Sequence, residues 1–306
     1  MRNFIVIGLL VYSLFCGLHF VDAKVSQEWI QWTRGEFEVP SEIQEAKNVS
    51  AVRPFLNSET EFTRMAAVRR LGEVGGEQVI TLLEEIFKKE PYENLMPPEG
   101  IPIVKLEIIR TLERIGGDKA KSALLDILKK YWESGPKVKD KKYSYDDGDF
   151  TTVVPLILKA LYKWNQDKDV FQVAEKIALN EDLKKYFGHP GDIRQNSWQL
   201  YLKGSMRKQG IDKEKDSAKY LLDFVEDVQK KGVASESLEQ TKIKAARSIL
   251  GEYDESMLSS LHKELESEYL KELKNSKGKE PNRCVELSSK KSLIEVILRE
   301  KSKKEK

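Results

Sequence analysis

Two cysteines occur in 306 residues, too few for a scaffold held together by disulfides. Histidine is nearly as scarce, at three, so a multi-histidine metal centre is not expected. An excess of one charge is missing too. Lys and Arg number 52 against 50 Asp and Glu, whereas a nucleic-acid-binding domain is usually strongly basic. No nucleic-acid partner is therefore expected. After Phe20 no apolar run approaches the length that spans a bilayer. There is no G-x-S-x-G elbow, no Walker A loop and no dinucleotide fingerprint. The expectation is a chain with no catalytic residues, no cofactor and no metal. What is present is a 40% hydrophobic and 33% charged composition. That is enough for a packed core under a heavily solvated surface, and too apolar for a disordered chain.

The first 23 residues read as an export signal. Arg2 supplies a positive start, Phe4 to Phe20 form an apolar run, and Val21-Asp22-Ala23 ends in the small residue that a signal peptidase reads. Cleavage near Ala23 gives a periplasmic or secreted protein. Two other readings keep a membrane attachment: an uncleaved anchor, or a lipoprotein modified at Cys16. Leu14-Phe15 places a bulky ring before that cysteine and suits lipidation poorly. Cleavage leaves Cys284 as the lone thiol, in the segment KGKEPNRCVEL, where an unpaired peripheral residue is expected.

Internal repetition is the strongest signal. TRMAAVRRLGEVGGEQVITLLEEIF begins at Thr63 and VKLEIIRTLERIGGDKAKSALLDIL at Val104, an offset of 41 residues. In register, Ala67 meets Ile108, Leu71 meets Leu112, Val74 meets Ile115, and Gly75-Gly76 meets Gly116-Gly117. Beyond the glycines, Val79, Leu82, Leu83 and Ile86 meet Ala120, Ala123, Leu124 and Ile127. The apolar spacing is helical on both sides of the glycine turn. Each unit is thus a hairpin of two amphipathic helices, which cannot bury its own apolar face without neighbours. Weaker copies follow at Val153–Trp164 with Val170–Leu179, and at Ile193–Leu202 with Ser217–Gln229. The pattern recovers at Lys242–Tyr253 with Met257–Tyr269. The expected fold is all-α, an α–α superhelix of about five hairpins.

RMAAVRRLGEVG at 64–75 and KAARSILGEY at 244–253 resemble HEAT repeats, of the short type also seen in phycobilisome lyases. The resemblance covers roughly 49–269 and implies a solenoid with second helices on its concave face. Such solenoids are mostly binding scaffolds. The lyase-type likeness also implies an alternative, a lyase-like or chromophore-handling enzyme built on the same repeats. The ends differ from the repeats. Residues 24–48, with Trp29, Trp32 and Phe37, form an expected N-terminal cap. Residues 270–306 hold a linker, a capping helix over Ser288–Arg299 and a charged tail.

Connections between hairpins are longer than turns within them, so insertions gather on one rim. PYENLMPPEGIP carries Tyr92, Leu95 and Met96, and SGPKVKDKKYSYDDGDF carries Tyr143, Tyr145, Asp146, Asp147 and Phe150. Aromatic residues on such loops are the usual anchors of protein interfaces, so these eight are the expected contacts with a protein partner. The acidic run at 146–149 and the Asn165-x-Asp167-x-Asp169 pattern lack the spacing of a calcium loop, and read as turn residues. The function expected from the sequence is an exported, non-catalytic repeat scaffold.

Overall fold

The computed structural model describes residues 37–90, 102–134, 148–180, 191–230, 238–276 and 282–304. Among these no strand occurs, and the fold is all-α. The expected export signal, with Trp29 and Trp32, lies outside the described residues.

Helices α1 (Ser41–Gln44) and α2 (Val49–Val52) begin the described chain, followed by a 3-10 turn at Arg53–Asn57. The first hairpin is α3 (Glu61–Gly75) and α4 (Ile80–Lys89). The next are α5 (Ile103–Ile115) with α6 (Gly117–Ser134), and α7 (Gly148–Leu161) with α8 (Lys168–Ala178). Then come α9 (Gly191–Lys208) with α10 (Glu214–Lys230), and α11 (Leu238–Leu250) with α12 (Glu255–Asn275). The last helix is α13 (Asn282–Lys304).

The hairpins stack as an α–α superhelix. First helices pack in series, α3 on α5, α5 on α7, α7 on α9 and α9 on α11, while α4 meets α6 and α10 meets α12 in a second layer. Burial follows the 41-residue register. Leu71 and Leu112, Leu83 and Leu124, and Ile86 and Ile127 are all buried, pair by pair. Each such side chain contributes about 1.5–3 kcal/mol through removal from water. Two apolar clusters result, one from Ile43 to Leu200 and one from Ala178 to Ile297, overlapping in sequence across α8 and α9.

The two glycine pairs do not turn alike. Gly116 and Gly117 both take positive φ, at 72° and 75°. In the first hairpin Gly75 stays helical and only Gly76 is positive, at 53°. A Cβ on Gly75 would lie 2.1 Å from Val79 Cγ1, so that glycine serves close packing and a 3-10 turn at Gly76–Val79 leads into α4.

Residues 37–48 pack against the first hairpin. Phe37 meets Phe62 with ring centroids 5.3 Å apart, Ile43 and Ala46 are buried, and Arg70 Nε donates to the Ala46 carbonyl at 2.9 Å. The C-terminal helix departs from expectation in extent and place. It covers 282–304, and packs along α12 and against α10, two second-layer helices, instead of simply closing the stack. Cys284 is fully buried in it, with Sγ 3.8 Å from the Tyr269 carbonyl. The expected peripheral thiol is a core residue.

Candidate functional site

A groove of about 570 Å³ lies between the 53–59 turn and α4. A second hollow of about 310 Å³ adjoins it, sharing Arg53 and Leu82. In the larger hollow, partly exposed Leu82 lies over buried Leu56 and Ile86; Arg53 and Lys89 add positive charge, Glu59 and Glu85 negative. Helical spacing explains the α4 wall, because Leu82, Glu85, Ile86 and Lys89 recur at three and four residues and share one face.

Arg64 and Glu90 brace the groove. Arg64 Nε and Nη2 donate to Glu90 Oε1 and Oε2 at 2.8 and 3.0 Å, and Nη1 donates to the Ser58 and Glu59 carbonyls at 2.9 and 3.0 Å. This bidentate pair ties the start of α3 and the preceding turn to the end of α4. Glu90 is also the residue from which the first long connection departs.

The opposite edge, where the short turns lie, is joined by polar bonds from hairpin to hairpin. Lys119 pairs with Glu77 at 3.6 Å, Lys121 with Asp167 at 2.6 Å, and Lys163 Nζ donates to the Glu113 carbonyl at 3.3 Å. Tyr162 Oη donates to Glu252 Oε1 at 2.6 Å, and Lys203 pairs with Glu252 Oε2 at 3.1 Å while lying over the Tyr162 and Tyr253 rings. Burial, followed by the carboxylate beside it, holds the Tyr162 hydroxyl well above the usual phenol range, and burial pushes Tyr253 up to about 12. Both are neutral at physiological pH and act as joints between hairpins. Asp167 caps α8 by accepting from Asp169 N and Val170 N at 2.9 and 3.3 Å. Burial pushes its carboxyl up, but Lys121 and these backbone groups outweigh that and hold it below the usual range. The 165–169 pattern is thus a helix cap and hairpin tie, as its turn reading implies.

Of the eight expected contact residues, Tyr92, Leu95, Met96, Tyr143, Tyr145, Asp146 and Asp147 lie outside the described residues. Phe150 is a correction. It is only 2% exposed and packs against Trp132 with ring centroids 6.4 Å apart. The helix α7 starts at Gly148, earlier than the expected Val153, so Phe150 joins the buried stripe of Val153, Val154, Ile157, Leu158 and Leu161. The groove itself was not anticipated. Its signal is Leu82, half-exposed where the second repeat places buried Ala123. Among the described residues no group of His, Cys, Asp and Glu is placed to hold a metal ion, and no helix is long and apolar enough to cross a membrane. Comparison with protein-family models, with curated proteins and with solved structures returns no match.

Proposed function

We propose that this chain is an exported, non-catalytic HEAT-like repeat scaffold that binds a protein partner. The partner meets the second-helix face and the neighbouring rim of long connections. The observation that carries this reading is the groove against α4, with partly exposed Leu82 between charges of both signs and a braced margin at Arg64–Glu90. An accessible apolar side chain inside a polar border is a feature of protein interfaces. Export rests on Arg2, the apolar run to Phe20 and Ala23. Membrane attachment enters only if that segment is retained or Cys16 is lipidated.

A crosslinked pull-down from the native cell envelope tests it. The bait is the full chain, run beside Leu82→Asp and beside a variant with the 90–102 and 134–152 connections shortened. The proposal expects one specific protein, lost with Leu82→Asp and weakened by the shortened rim. Equal capture by all three baits, or capture of no protein, contradicts it.

A further inference from the structure

Charge divides between the two helix layers. The first helices α3, α5, α7, α9 and α11 carry 14 Lys and Arg against 7 Asp and Glu. The second helices α4, α6, α8, α10 and α12 carry 14 against 17. The whole chain is close to neutral, at +2, so the positive excess belongs to one layer and not to the composition at large.

The excess reaches solvent in a continuous patch across α3, α5 and α7. Glu107 of α5, its side chain 2% exposed, meets three guanidinium groups: Arg69 of α3 at 3.0 Å, Arg114 at 3.2 Å and Arg110 at 3.7 Å. One carboxylate offsets one of these three charges. The three arginine side chains stay about half exposed, with N–H donors that Glu107 does not use. The turn after α7 extends the patch. Lys163 Nζ donates to the Glu113 carbonyl of α5 at 3.3 Å, and exposed Lys159 lies four residues earlier. Two further carboxylates sit nearby: Glu73, which meets Arg70 at 2.8 Å, and half-buried Glu113. The balance stays positive. None of the five cations lines the α4 groove or the hollow beside it.

Arg69 and Arg110 hold the same place in the 41-residue register, so the cation recurs with the repeat. Packed helices lie about 8–10 Å apart, and half-exposed cations on three neighbouring helices make a band. A band suits a ligand whose charges spread over a surface. We infer that this first-helix face rests on an anionic lipid bilayer, with phosphate headgroups as its ligand. Guanidinium groups pair with phosphate oxygens through parallel N–H bonds, and clustered Lys and Arg are drawn to an anionic leaflet. The contact is peripheral and weakens with salt, unlike attachment through residues 1–23 or Cys16. The second helices, with their negative excess, face away from the bilayer and leave the α4 groove open.

Sedimentation of the full chain with vesicles tests the face. Phosphatidylcholine vesicles set the baseline, to which residues 4–20 contribute equally in every variant. Vesicles of phosphatidylcholine and phosphatidylglycerol in equal parts supply the anionic surface. The wild type is expected to bind these more tightly, and to lose that gain as salt rises. Arg110→Gln/Lys159→Gln/Lys163→Gln removes three cations and leaves Arg69 and Arg114 on Glu107. Each cation near an anionic surface is worth about fivefold in affinity, so this variant is expected to bind the anionic vesicles roughly a hundredfold more weakly. Lys129→Gln/Lys130→Gln/Lys176→Gln removes the same charge from exposed positions on second helices, and is expected to keep the gain. An oligoglutamate peptide at matched ionic strength is expected not to displace the wild type. No gain on anionic vesicles, an equal loss in both triple variants, or displacement by the peptide overturns the inference; displacement would assign the face to an acidic protein.

Discussion

Gly204→Ala measures how tightly α8 and α9 are packed. An added Cβ would fall 1.9 Å from Phe171 Cδ2, 2.7 Å from Cε2 and 2.8 Å from Cγ. Three clashes on one ring mean that the ring must move as a body. Tyr201 stacks on it at 5.8 Å and 17°, and the Lys208 ammonium lies 4.0 Å from its centroid, so both side chains resist the shift. Alanine in a helix interior gains about 1 kcal/mol over glycine. Overpacking costs about 1–3 kcal/mol, and partial loss of phenylalanine burial adds a share of about 1.5–3 kcal/mol. The clash term wins, and a net loss of about 1–3 kcal/mol is expected. Urea unfolding of the wild type, Gly204→Ala, Phe171→Leu and the double variant forms a cycle. In the Phe171→Leu background the smaller side chain makes room, so Gly204→Ala is expected to be neutral or stabilising. A Gly204→Ala protein as stable as the wild type, or an equal loss in both backgrounds, refutes the reasoning.

The aligned positions make a second test. Leu83→Ala and Leu124→Ala are each expected to cost about 2–5 kcal/mol, whereas Leu82→Ala, on the half-exposed groove wall, should cost clearly less; similar losses at all three in thermal melts would contradict the shared register. The docking of α13 should depend on acid. Lys230 and Arg283 lower the Glu286 carboxyl from 4.5 to about 2. A carboxylate lowered on folding stabilises fully above its unfolded pKa, and the contribution falls away as pH drops from 4.5 through about 2. Hydrogen exchange of 282–304 should accelerate over that window and do so less in Glu286→Gln; an unchanged profile in the variant would remove Glu286 from the account. In a Cys16→Ser chain, the Cys284 thiol should resist Ellman's reagent until denaturant is added, and rapid labelling of native protein would contradict its burial.

Much of the fold was legible because the first two repeats keep an apolar period in register. Ala67 and Ile108, Leu71 and Leu112, and Leu83 and Leu124 are all buried, so the sequence pattern and the packing coincide there. The place of α13 was less legible for a physical reason. Its buried face runs through Cys284, Leu287, Lys290, Ile294 and Ile297, and a lysine interrupts the apolar stripe. Lys290 is held by Asp223 and Glu226 of α10 at 2.5 and 2.7 Å, partners about 65 residues away in sequence that no local periodicity reveals. Exposed Val296 and half-buried Leu293 drew the expected face slightly off its true direction. The groove escaped notice because it depends on how the turn at 53–59 sits against α4, a tertiary relation.

Site-specific photocrosslinking in the native envelope tests the central claim most directly. A photoreactive residue replaces Leu82 in the groove and, in a second protein, Arg110 on the exposed side of α5 in the first-helix layer. The account predicts one discrete protein adduct from position 82 and none from position 110. Adducts of the same protein from both positions, or none from position 82, would contradict a partner bound on the second-helix face.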